Sequence, residues 1–81
     1  MPLKAIILGK LGINVISRVI EQLKEIPEIK QIVSLTGIYD IMCEVQVEEP
    51  EELYEVFSRK IDPIEGLIET NTHVIMKSWE R

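Results

Sequence analysis

The sequence is poor in the residues that most often carry chemistry. One cysteine, Cys43, excludes an intramolecular disulfide framework, and with one histidine, His73, a structural zinc centre has too few ligands. Nine Lys and Arg stand against fourteen Asp and Glu, for a formal net charge of −5. The nine bases are scattered, with no basic and aromatic stripe on which nucleic-acid bases could stack, so direct nucleic-acid binding is not expected. No apolar run approaches the roughly 20 residues of a membrane helix. The start, Met1-Pro2-Leu3-Lys4, lacks a basic region ahead of an apolar stretch of signal-peptide length. The expectation is a cytoplasmic domain without a membrane contact. At 81 residues it forms one unit, 1–81, near the small end of what a single core supports.

What is abundant is aliphatic. The chain holds 14 Ile, 7 Val and 7 Leu but only four aromatic residues: Tyr39, Tyr54, Phe57 and Trp79. A domain of this length has a radius of gyration of about 12 Å. So small an interior has limited room for 28 large aliphatic side chains, and some of them are expected on a surface that a second copy covers.

The order of these residues gives the elements. Leu3 to Leu8 is apolar on both faces, as in a strand in the middle of a sheet. Gly9-Lys10-Leu11-Gly12 is expected to break it. From Ile13 to Ile26 the spacing is helical, with Ile13, Ile16, Ile20 and Leu23 as the stripe and Val15 and Val19 widening it. Pro27 stops this helix, because its ring disfavours α geometry at the preceding residue. Ile29 to Leu35 reads as a second strand, turned at Thr36-Gly37 into a third from Ile38 to Val47. The odd positions of that third strand (Tyr39, Ile41, Cys43, Val45, Val47) are apolar or aromatic, so they share a buried face. Pro50 fits the first turn of a second helix with Glu51, Glu52 and Glu55 near its positive end. Asp62-Pro63 ends it. Leu67 to Lys77 is the last strand, with Ile68, Thr70, Thr72, Val74 and Met76 on the helix side and Glu69, Asn71, His73, Ile75 and Lys77 on the other.

The order β-α-β-β-α-β with short connections predicts an α+β ferredoxin-like sandwich. Right-handed crossovers place both helices on one face of a four-stranded antiparallel sheet. The other face is left open, with Met42 and Ile75 among polar side chains, and a second copy dimerising through the sheet would cover it.

Few groups are set for catalysis. Strand parity sends Cys43 to the helix side and His73 to the open face, which separates the nucleophile from its base. Gly9-Lys10-Leu11-Gly12 lacks the ending of a phosphate loop and the third glycine of a dinucleotide fingerprint. Asp40 and Glu69 both fall on the open face as a possible carboxylate pair. The six glutamates between Glu44 and Glu55 read as a solvated strand end and helix start. No catalytic residue, metal ligand or cofactor site is assigned. Asp40, just after a glycine turn, has two readings: a carboxylate bonded to nearby backbone, or an acceptor for a ligand's ammonium group.

The segment Thr36-Gly37-Ile38-Tyr39-Asp40, followed by Ile41-Met42-Cys43-Glu44-Val45, resembles the G-x-Y-D motif of the Lrp/AsnC transcription regulators. The run Ile64 to Met76 resembles the same family's ending, I-x-G-V, then E-T-x-T, then V-V-M, with Leu67 in place of the commoner Val. The likeness covers the ligand-binding RAM domain and not the helix-turn-helix of full-length members, so the chain resembles the stand-alone RAM-domain proteins. It implies sheet-to-sheet dimers assembling into a ring, often an octamer, that binds a small amino acid between dimers, and a full-length Lrp/AsnC regulator is a further implied partner. Carried onto this sequence, the ligand-binding residues are Thr36, Gly37, Tyr39 and Asp40, joined by Thr70 and Thr72 as hydroxyl donors. Gly37 would offer backbone N–H groups to the effector's carboxylate and Asp40 would accept from its ammonium. Leu35 and Ile32 would select its side chain. Parity places Thr70 and Thr72 on the helix side, where they can equally serve as sheet-packing residues.

Two other readings share the strand order. An ACT-type regulatory domain would hold its amino acid near the first strand-to-helix loop, Gly9 to Asn14. A small dimeric α+β barrel enzyme would need acid and base groups between sheet and helices, where this chain offers Tyr39 and Cys43.

Overall fold

The computed structural model describes residues 2–81. Strand β1 (Leu3–Leu11), helix α1 (Ile16–Lys24), β2 (Ile29–Ser34), β3 (Ile41–Val47), helix α2 (Pro50–Val56) and β4 (Leu67–Val74) follow in the expected order. They form one four-stranded antiparallel sheet in the order β2-β3-β1-β4, so β1 and β3, the most apolar strands, are central. The odd residues of β3 (Ile41, Cys43, Val45, Val47) are all buried, as their alternation requires. Ile7 of β1 joins them, and Val19 and Leu23 of α1 and Val56 of α2 close the core from the same side.

Register fixes which side chains share the opposite face. Leu8 pairs with Met42 and Asn71, and Ile6 with Glu44 and His73. Met42 in turn pairs with Val33 of β2. Ile6, Leu8, Val33, Met42 and Ile75 are half-buried there, in a face without a helix. His73 lies on this face and Cys43 in the core, which separates them as parity predicts.

Several boundaries differ from the sequence reading; α1 ends at Lys24 and not Ile26, and β2 at Ser34 and not Leu35. Gly9-Lys10-Leu11 does not break β1, which runs on to Leu11 between its two neighbours. A Cβ on Gly9 would sit 2.9 Å from Leu67 Cδ1 and 3.3 Å from Ile41 Cγ1, so this glycine makes room in the core rather than a turn. Helix α1 begins at Ile16 and not at Ile13, because Asn14 takes a positive φ of 59° that a helix cannot continue through. Ile13 is therefore 90% exposed, and the buried stripe is Val15, Val19, Leu23 at i, i+4, i+8.

Strand β3 begins at Ile41, and Ile38 to Asp40 belong to the preceding loop. In β4, Leu11 pairs with Leu67 and Lys10 with Glu69, so Ile68 is an extra residue in a bulge. Leu67 packs against the core while Ile68, expected on the helix side, is 70% exposed. Helix α2 widens at its end into a π turn, Phe57–Ile61, closed by Asp62 N–H donating to the Phe57 carbonyl at 2.7 Å.

Strand β4 ends at Val74 rather than Lys77, although Ile75 N–H still donates to the Lys4 carbonyl at 2.8 Å. Beyond it the chain leaves the sheet. Trp79 is 80% exposed there, with the Lys77 ammonium 5.3 Å from its ring centre.

Candidate functional site

The loop between β2 and β3 carries four of the six candidate residues, and Asp40 fastens its base. Its backbone N–H donates to the Gly9 carbonyl at 2.9 Å, and its carbonyl accepts from Leu35 N–H at 2.8 Å. Its carboxylate Oδ2 accepts from Leu11 N–H at 2.8 Å. Gly9 is the partner of Ile41, the first residue of β3. Beyond that rung the β1 strand would lose its acceptor, and the Asp40 side chain supplies one. The backbone-bonded reading of Asp40 is thus realised through one oxygen; among the described residues no donor meets the other.

Above that base the loop is bare. Thr36, Gly37 and Ile38 are exposed, Ile38 by 74%. Gly37 has a φ of +113°, a conformation that side chains avoid, and a Cβ there would meet nothing within 4 Å. Its glycine is demanded by the backbone bend and by nothing packed on it.

Tyr39 is not on the buried face to which alternation assigned it, because the loop persists to Asp40 and strand parity does not reach back that far. It is half-buried, and its Oη accepts from Asn71 Nδ2 at 2.9 Å. Asn71 pairs with Leu8 on the open face of β4, so the Tyr39 side chain reaches across β1 on that face.

Thr70 pairs with Gly9 and Thr72 with Ile7, which puts both on the helix side as expected. Thr70 is half-buried and Thr72 exposed, since β4 is an edge strand. Thr70 and Ile41 flank Gly9 from its two sides, so their Cα atoms lie about 10 Å apart at normal strand spacing. Thr70 therefore lies toward the same end of the sheet as the loop but on the other face, while Thr72 stands opposite Ile7 at the middle of β1, and among the described residues no hydrogen bond joins either threonine to the loop. Alternation alone places Asn71 on the open face, and no local pattern marks it as a site residue, because its partner Tyr39 is 32 positions away.

Cys43 is 2% exposed, and burial pushes its thiol up to about 11, so it is held as a neutral core residue. Half of the segment favoured by an ACT-type reading, Gly9 to Leu11, is strand, and Gly12 N–H donates to the Gly66 carbonyl at 2.9 Å. Glu69 pairs with Lys10, while the Asp40 carboxylate is turned to Leu11.

Two surface grooves lie elsewhere. One of about 400 Å³ is lined by Glu28, Glu52, Val56 and Lys60 among others, and one of about 270 Å³ by Lys24 and Ile29 to Ile32. In the first, the Lys60 ammonium meets Glu28 Oε1 at 3.1 Å. Burial raises the Glu28 carboxyl, but its own backbone N–H and the charges of Lys60 and Lys30 outweigh that and leave it below the ordinary value. No helix among the described residues is long and apolar enough to cross a membrane.

Comparison with known proteins agrees with this geometry. Residues 5–81 match the model of the Lrp/AsnC ligand binding domain. An uncharacterised HTH-type transcriptional regulator of Pyrococcus horikoshii is 30% identical over 66 residues, which are 79% of this chain and 42% of that protein. The chain therefore spans less than half of that relative. A solved Thermus thermophilus protein superposes with a TM-score of 0.89 at 28% identity, covering 98% of this chain and 99% of its own. A Neisseria meningitidis transcriptional regulator, solved as a complex with L-Met, shares the fold with a TM-score of 0.88 at 15% identity, over 98% of this chain and 53% of its own. With the family model matched from Ala5 to the last residue and the sandwich in place, the chain belongs to the Lrp/AsnC ligand-binding domain family.

Proposed function

We propose that this domain senses a small amino acid and, as a homo-oligomer, modulates transcription, with a full-length Lrp/AsnC regulator as its partner. The observation that carries this is the loop of the family's G-x-Y-D motif: fastened at Asp40 and left uncovered at Gly37, within a chain of that family. An open backbone segment beside a carboxylate oxygen without a protein donor suits a zwitterion, whose carboxylate takes N–H groups and whose ammonium takes the carboxylate. The Neisseria regulator's complex with L-Met is consistent with an amino-acid ligand.

The loop is exposed in one chain, so the site is completed by another copy. The apolar centre of the open face (Ile6, Leu8, Val33, Met42, Ile75) is the surface through which two copies pack, and dimers then join into a ring, an octamer or similar. Effector binding shared between subunits shifts assembly by mass action.

Calorimetry against the 20 amino acids, paired with native mass measurement, tests both parts. A saturable heat for one or a few amino acids, with a change in assembly state, is expected. Absence of binding by any of them, or full affinity in an Asp40→Asn variant, removes the assigned site. A chain that stays monomeric at high concentration removes the proposed assembly.

A further inference from the structure

The loop that bears Gly37 is held at two places of different kind. At its base Asp40 makes the three hydrogen bonds described above, which fix where the chain re-enters the sheet. The second place is a side-chain bond, Asn71 Nδ2 to Tyr39 Oη at 2.9 Å. It ties the loop to the far edge strand, over an intervening β1. Thr36, Gly37 and Ile38 lie outside both restraints, exposed.

We propose that Asn71 is a positioning residue for the effector: through Tyr39 it presets the loop, and it aims the tyrosine's proton toward the ligand. This rests on the reading of the loop as the amino-acid site. A phenol has one proton to donate and lone pairs that accept. With the Asn71 amide donating into those lone pairs, the Tyr39 O–H has its own proton free for an acceptor. The effector's carboxylate is an acceptor of the right charge. Asn71 itself touches no ligand; its effect runs through the tyrosine.

Two features favour Asn71 among the residues near the loop. Its neighbours on the same face, Glu69 and His73, pair with Lys10 and Ile6, and among the described residues Asn71 is the one hydrogen-bonded to the Tyr39 hydroxyl. Thr70 and Thr72 point to the other face. Asn71 is thus the β4 residue by which a shift of the edge strand, where another copy can pack, reaches the loop.

Four variants of the full chain test this: Tyr39→Phe, Asn71→Ala, the two combined, and Asn71→Asp. The readouts are affinity for whichever amino acid the parent binds and hydrogen exchange at the amides of Leu35 and Asp40. Loss of one such bond is expected to weaken binding about threefold to tenfold. Tyr39→Phe and Asn71→Ala should each do so, and the double variant should lose no more than the larger single effect. Both should speed exchange at Leu35 and Asp40 while leaving thermal midpoints within a degree or two of the parent. Asn71→Asp should weaken binding more than Asn71→Ala, because its carboxylate accepts the hydrogen bond of the Tyr39 O–H and adds a negative charge near an anion.

Losses that multiply in the double variant, or unchanged affinity in Asn71→Ala, would overturn the positioning role. If the parent binds no amino acid, the functional reading fails; the exchange measurement still judges the tether, which is refuted by unchanged rates at Leu35 and Asp40.

Discussion

Leu11 N–H donates to Asp40 Oδ2 at 2.8 Å, so a side chain 29 residues away stands where the next backbone acceptor of the β1–β3 ladder would be. A charge-assisted bond to a part-buried N–H has a structural value that is separate from ligand binding. Removing the acceptor leaves that donor unpaired, which costs about 1–3 kcal/mol. Asp40→Ala is expected to lose that much in urea unfolding, and Asp40→Asn, which keeps an oxygen in place, less than about 1 kcal/mol. For this reason Asn and not Ala is the informative substitution in binding measurements: it removes the charge and keeps the rung. Equal losses for the two would show that the charge itself holds the rung.

Two glycines with positive φ make a matched pair. A Cβ on Gly66 (φ +102°) would lie 3.0 Å from Val15 Cγ2 and 3.2 Å from Val19 Cγ2, in the core wall. Gly37 has the same backbone strain to relieve but empty space around it. Gly66→Ala is expected to cost about 2–4 kcal/mol, strain and overpacking together, and Gly37→Ala only about 1–2 kcal/mol from strain. Thermal unfolding of the two variants checks the order. Only the second is expected to weaken amino-acid binding out of proportion to its stability.

Cys43 predicts an alkaline limb in the stability curve. Its thiol ionises near 9.0 when unfolded and is pushed up to about 11 in the core by burial. Between those values the unfolded chain has released a proton that the native chain keeps, so ionisation favours unfolding. Stability contributed by this group is complete below pH 9.0 and falls toward pH 11, by at most about 1.4 kcal/mol per pH unit. Cys43→Ala removes the limb, at the cost of a small cavity. The same burial makes thiol labelling of the native protein slow, at a rate that follows unfolding; fast labelling in native buffer would refute the burial.

Glu28 and Lys60 give the opposite slope. The Glu28 carboxyl lies below its ordinary value, so the native chain holds its proton more weakly than the unfolded one does. Its stabilisation is present above the unfolded value and is lost as pH falls through the native one. Both side chains are partly exposed, 44% for Lys60 and 27% for Glu28, so water and salt screen the pair and its worth is below about 1 kcal/mol. A double-mutant cycle with Glu28→Gln and Lys60→Met should give a coupling of that size in low salt that vanishes at 1 M NaCl. A coupling insensitive to salt would point to packing rather than charge.

Much of the fold is legible in the sequence because its strongest signals are local. Ile41, Cys43, Val45 and Val47 alternate with Met42, Glu44 and Gln46 over seven positions, and one face of β3 is buried accordingly. Pro27 stops α1 near where a ring with no N–H must. The errors have one cause in common: a single residue resets the phase. Asn14 in a left-handed conformation shifts the start of α1, and the buried stripe passes from Ile13 and Ile16 to Val15 and Val19. The bulge at Ile68 likewise moves a core place to Leu67. An aliphatic-rich chain gives no composition contrast that would reveal either slip. The site is less legible still. Gly37 and Asp40 stand out as a turn and an acid beside it, whereas the groups that hold the loop, Leu11 N–H at Asp40 and Asn71 at Tyr39, lie on other strands and carry no local mark.

The chain's one tryptophan lies beyond the last strand, 80% exposed. Its indole sits in water whether the sandwich is folded or not, so emission from Trp79 of an isolated chain stays near the wavelength of a free indole through the whole unfolding transition. Optically the core is dark, and circular dichroism has to follow it. In exchange, the dye that nature placed at the tail is free of background from the fold. A blue shift on concentrating the protein, or on adding an amino acid, can come only from something settling over the C-terminal segment.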